Sequence, residues 1–144
     1  MLTARIRGIQ VHRGAVIAAV RGASIAPVRK AAMMVEREAK ASMKAGGRGK
    51  ARRQKGTGKF LAGLRYPSPP GTPPHVQTGA LRASITWALV GGLATGVSAV
   101  VGPTVKYGAV HEYGGKHTPK RPFMRPALLR VRNRMPQLFR GVLR

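Results

Sequence analysis

Against 27 lysines and arginines this chain sets only three carboxylates, Glu36, Glu38 and Glu112, and no aspartate at all. A buried cation without a carboxylate partner costs several kcal/mol, so nearly every Lys and Arg must stay at the surface or meet anions from another molecule. The core has to come from aliphatic residues and a handful of aromatics. A chain of 144 residues is one domain of ordinary size. Its formal charge of +24 makes free copies repel one another and attracts any polyanion. Arg outnumbers Lys by 18 to 9, and the planar guanidinium fork favours phosphate and carboxylate contacts of fixed geometry.

The same scarcity of acids excludes whole classes of chemistry. Paired-carboxylate glycosidases, two-metal phosphotransferases and calcium loops each need several carboxylates together. With no cysteine there are no disulfides, thiol nucleophiles or thiolate metal sites. The apparent motifs fail on spacing. His111-Glu112 begins like a zinc-protease helix, but the second His would have to stand at position 115, which is glycine; His117 lies two residues too far on. Gly56-Thr57-Gly58-Lys59 lacks both the upstream glycine and the following Ser or Thr of a phosphate loop, because Arg53 and Phe60 hold those places. No catalytic residue, metal site or cofactor site is expected, and binding or assembly remains.

Three regions follow along the chain. Residues 1–44 read as helical. Val28, Ala32, Val35, Ala39 and Met43 recur at helical spacing, with Ser24 as the expected cap, Pro27 in the first turn and Glu36 paired with Lys40 on the opposite face. An earlier helical stretch over residues 14–22 either stands apart or runs into this one with a kink at Pro27, and a short strand over 6–11 precedes it. Residues 45–78 form a loop and arm rich in Gly, Pro and basic residues. Between positions 44 and 65 there are eight cations, six glycines and no acid, too little apolar surface to offset the entropy of ordering. Five prolines in residues 66–74 then suggest an extended arm. Residues 79–144 read as a sheet plus C-terminal helix.

Residues 83–105 are 23 consecutive uncharged positions, long enough to span a bilayer. Ten are Gly, Ser, Thr or Pro, so a hairpin of strands at 81–90 and 97–102 is expected and not a membrane span. Residues 105–113 fit either a strand or a short helix ended by Gly114-Gly115. A helix from Pro126, kinked at Pro136, closes the chain. The fold class is α+β: N-terminal helices and a C-terminal helix packed on a small antiparallel sheet, with a long basic loop.

Two sets of residues are candidates for contact with partners. Arg48, Lys50, Arg52, Arg53, Lys55 and Lys59 would meet DNA phosphates or an acidic protein surface, without sequence preference. Phe60, Tyr66, Glu112, Tyr113, Arg121 and Phe123 are candidates for a subunit or partner interface. Glu112, alone among Lys106, Lys116, Lys120, Arg121 and Arg125, is expected to pair with one of these bases, first of all Arg121. Phe123, between Pro122 and Pro126, is expected in the core or in a subunit contact. Only seven aromatics occur, too few for a base-reading RNA surface.

Five blocks in order carry a resemblance: Gly71-Thr72-Pro73-Pro74, then Thr78-Gly79-Ala80-Leu81-Arg82-Ala83-Ser84-Ile85, then Val101-Gly102, then Tyr107 to Glu112 and Gly114, then Pro122-Phe123-Met124-Arg125-Pro126-Ala127. Together they resemble the tail-completion, or head-to-tail joining, family of neck proteins in tailed bacteriophages. The basic stretch 44–65 is longer and more basic than that pattern, and the N-terminal region matches it only as generic helix. The resemblance implies a non-enzymatic virion protein of the neck or tail top, made in the host cytoplasm and forming a homo-oligomeric ring, with six copies suggested by the family. It implies neighbouring neck and tail proteins as partners, genomic DNA in the lumen, and no membrane. The second reading, from charge alone, is a small basic nucleic-acid-binding protein of ribosomal or nucleoid type.

Overall fold

The longest element is one continuous helix, α1 (Arg13–Ser42). It belongs to a computed structural model that describes residues 13–46, 52–53, 60–61, 67–92 and 95–140; the strand expected at 6–11 lies outside them. The expected stripe is the buried face, with Ala32, Val35, Ala39 and Met43 each at most 4% exposed. Glu36 accepts from Lys40 Nζ at 2.6 Å, an i,i+4 pair contributing a few tenths of a kcal/mol. The helical stretch expected over 14–22 runs on into this helix, so Ser24 is not a cap. α1 begins eleven residues earlier, because the Ala- and Val-rich run ahead of Ser24 continues the helix. Ser24 Oγ donates backwards to the Val20 carbonyl at 2.7 Å, and Pro27 sits inside the helix with its ring buried. A mid-helix proline costs a hydrogen bond; burial of the ring offsets part of that loss.

Of the basic loop, β1 (Arg52–Arg53) and β2 (Phe60–Leu61) are described, paired antiparallel. Arg48, Lys50, Lys55, Lys59 and Tyr66 lie outside the described residues.

The proline-rich arm is fastened at both ends. The Val76 N–H donates to the Lys44 carbonyl and the Gly71 N–H to the Lys120 carbonyl, both at 2.9 Å. One helical turn follows, α2 (Ala80–Ser84), where a strand from Leu81 was expected. Gly79 opens it, and Ala-Leu-Arg-Ala is good helix sequence; period-2 alternation begins only at Ile85.

From there β3 (Ile85–Gly92) and β4 (Gly96–Pro103) form the expected hairpin. The register pairs Ile85 with Pro103, Trp87 with Val101 and Leu89 with Ala99 on the face turned towards α1. The outer face presents Ala88, Val90 and Val100 to solvent. A two-stranded sheet is marginal alone, and here α1 supplies its backing.

Three short helices complete the chain: α3 (Tyr107–Tyr113), α4 (Met124–Arg132) and α5 (Met135–Phe139). The ambiguous segment is thus helical, and it ends at Gly114, whose φ of 87° only glycine adopts without strain. Pro136 falls in the first turn of α5, so the tail is interrupted and not merely kinked. Ala39, Met43, Ile85, Phe123 and Ala127 form the core, with Val76, Leu81, Val101 and Met124 packed against it. The fold is α+β. Among the described residues no helix is long and apolar enough to cross a membrane.

Candidate assembly interface

The three blocks centred on positions 81, 102 and 108 meet where α3 crosses the end of the hairpin. Gly108 is buried there, and a Cβ on it would lie 2.8 Å from Pro103 Cβ and 3.4 Å from Leu81 Cδ1. The Pro103 ring cannot swing aside, so α3 approaches the hairpin this closely only with glycine at position 108. Gly108→Ala should destabilise the fold by about 1–3 kcal/mol, as overpacked positions do, measured by urea denaturation. An unchanged midpoint would show that α3 shifts freely.

Glu112 sits one turn further along α3, and its role differs from the expected one. Among the described residues it pairs with no guanidinium. Its Oε2 accepts the backbone N–H of Phe123 at 2.8 Å and of Met124 at 2.9 Å, while Oε1 accepts that of Arg125 at 2.9 Å. A carboxylate from one helix therefore caps the next. The first turn of α4 has no acid and its own cap residue, Phe123, has no side-chain acceptor, so orphan N–H groups and helix dipole both draw the anion in. The signal in the sequence was Pro122-Phe123 in front of a helix with no capping Ser, Thr, Asp or Asn, which requires an acceptor from elsewhere.

Arg121, the partner expected for Glu112, instead ties down the arm. Its Nε donates to the Ser68 carbonyl at 2.9 Å, and its backbone N–H to the His111 carbonyl at 2.6 Å. Phe123 is fully buried in the core, which removes it from any partner interface. Tyr113 is 81% exposed and is available. Nothing is described of the side chains of Arg52, Arg53 and Phe60.

Arg121 also borders a cavity of about 200 Å³ under the arm, together with Ser68 and His111. Ser68 Oγ and His111 Nδ1 are buried there without a hydrogen-bond partner among the described residues. The imidazole stands edge-on to Tyr107, ring centres 6.1 Å apart. Burial, and then the Arg121 guanidinium, lower the His111 pKa below 6.5, because each disfavours a second positive charge. The folded state then binds fewer protons than the unfolded state, and stability falls as pH drops through 6.5 towards the lowered folded value. His111→Gln should flatten the pH dependence of Tm between pH 7.5 and 5.5; an unchanged slope would assign it to other groups.

A second, larger concavity is apolar. A groove of about 1000 Å³ runs between α1, β4, α3, α4 and α5, with Val28, Val101, Ala109, Leu128 and Phe139 among its walls and Tyr113 on it. Among the described residues no group of three or more His, Asp or Glu gathers in a metal-binding arrangement. The remaining acids are also engaged, Glu36 by Lys40 and Glu38 by Arg130 at 3.1 Å. The second pair joins α1 to α4 at the surface, where such a bridge contributes about 0–1 kcal/mol. No family model, curated protein or solved structure matches the chain.

Proposed function

We propose that this chain is a structural virion protein of the neck or tail top of a tailed bacteriophage, forming a ring that joins the head connector to the tail. The observation that carries the reading is the interlocking of the sequence blocks on which the resemblance rests. Leu81 of the second block lies against Gly108 of the fourth, beside Pro103, the residue that follows the third, and Glu112 of the fourth closes on the backbone of Phe123, Met124 and Arg125 of the fifth. Residues chosen only for their order along the chain act as one structural unit in space. That supports reading the blocks as a shared framework.

Charge supports the same reading. All three carboxylates are engaged within the chain, so the +24 must be balanced from outside. In a ring of six the total is 6 × 24 = +144, which DNA in the lumen or acidic faces of adjoining rings compensate. Both are present where a genome passes from head to tail.

Replacing Arg48, Lys50, Arg52, Arg53, Lys55 and Lys59 together by Gln tests this function. The variant subunit should fold, while joined head-and-tail particles should become rare in an assembly extract. Normal yields of joined particles would show that this basic run has no part in joining.

A further inference from the structure

α1 extends well past the body of the protein. Its buried positions start at Pro27, and residues 13–20 are all exposed. At 1.5 Å per residue, these eight residues reach about 12 Å along the helix axis, and Arg21, Gly22, Ser24 and Ile25 are half-buried where the helix joins the body. A helical segment of that length is marginal in water without packing. It nevertheless exposes Val16 (52%), Ile17 (48%) and Val20 (38%), which adjoin one another on one face.

The apolar groove is the complementary surface. Its exposed walls include Ala109, Tyr113 and Leu128. Both surfaces are poor in charge for a chain in which 30 of 144 residues are charged. Residues 13–26 hold two charges, Arg13 and Arg21, and the groove holds only Lys106, Glu112 and Arg125, a net of +1 for the groove. Like-charge repulsion, which opposes self-association over the rest of this protein, is therefore weak where these two surfaces would meet. The overhang cannot fill its own groove, because Val28, Ala31, Ala32 and Val35 of the same continuous helix form one wall of it.

The geometry points to a head-to-tail contact in which residues 13–26 of one copy seat in the apolar groove of the next. Such a contact uses different surfaces on the two copies, so it propagates until it closes into a ring or runs on as a filament; closure into a ring rests on the reading proposed above.

The test uses two sets of substitutions at exposed positions in the full chain. Val16→Glu, Ile17→Glu and Val20→Glu disable the helix, while Ala109→Glu and Leu128→Glu disable the groove. Tyr113→Ala, at an 81% exposed position, repeats the groove test with less risk to folding. By sedimentation, each Glu set should weaken self-association about a hundredfold, as loss of a central apolar anchor does. Mixing the two sets should give heterodimers and nothing larger, because each pair retains one working helix and one working groove. An oligomer that survives both sets, or a mixture that stays monomeric, would overturn this contact and leave the ring reading standing. A parent chain that is monomeric throughout would remove both.

Discussion

Phe123→Ala should lower the unfolding free energy by about 3–5 kcal/mol, the cost of deleting a fully buried aromatic ring and leaving a cavity. Phe123 is 0% exposed and is the largest fully buried side chain, packed with Ala39 and Met43 at the end of α1, Ile85 at the start of β3 and Ala127 on α4. The removed ring would therefore loosen contacts between the long helix, the hairpin and the final helices together. Domains of this size have about 5–15 kcal/mol in total, so the variant should be marginal at 37 °C and its urea midpoint should fall sharply. Phe123→Leu, which keeps most of the volume, should recover much of the loss. A Phe123→Ala protein with the parent's midpoint would mean that this ring is not a core residue.

Glu112→Ala should cost about 2–4 kcal/mol. Three backbone N–H groups lose a charged acceptor at once; hydrogen bonds to charged groups contribute more than neutral ones, and the usual single cap is worth about 0.5–2 kcal/mol. Glu112→Gln should cost roughly half as much, since its one carbonyl oxygen replaces Oε2 while its amide confronts the Arg125 N–H. A thermal melt of both variants gives the order Ala, Gln, parent. Equal melting of all three would show that water serves α4 as well as the carboxylate does. The two sites are neighbours, so the double variant should fall short of the sum of the single effects.

The periodic parts of this fold were legible in the sequence, and the parts set by distant contacts were not. Ala32, Val35, Ala39 and Met43 declared the buried face of α1 through their spacing, and the β3–β4 hairpin showed in alternation around glycines. Helix on both sides of Pro27 was legible, but whether it ran through the proline was not, because Ser24 and Pro27 imitate a helix beginning and nothing local distinguishes that from a proline buried within a longer helix. The turn of helix at Ala80–Ser84 was read as strand because a five-residue window has no usable period. Glu112 was recognised as a structural acid, yet its partner was sought among side chains because only the fold brings the N–H groups of α4 to it. The apolar groove left no trace in the sequence, since its walls come from α1, β4 and three later helices.

The central claim is that this chain assembles with itself into a closed structure and does not simply coat nucleic acid. Native mass measurement of the full chain after nuclease treatment tests it most directly, at roughly 0.5 M salt, where screening shortens to about 4 Å and repulsion between +24 subunits is suppressed. One discrete oligomer of fixed copy number, free of nucleic acid and seen as rings by negative-stain microscopy, is expected. Monomers alone, with every larger species lost as the nucleic acid is digested, would contradict it and favour a small basic nucleic-acid-binding protein.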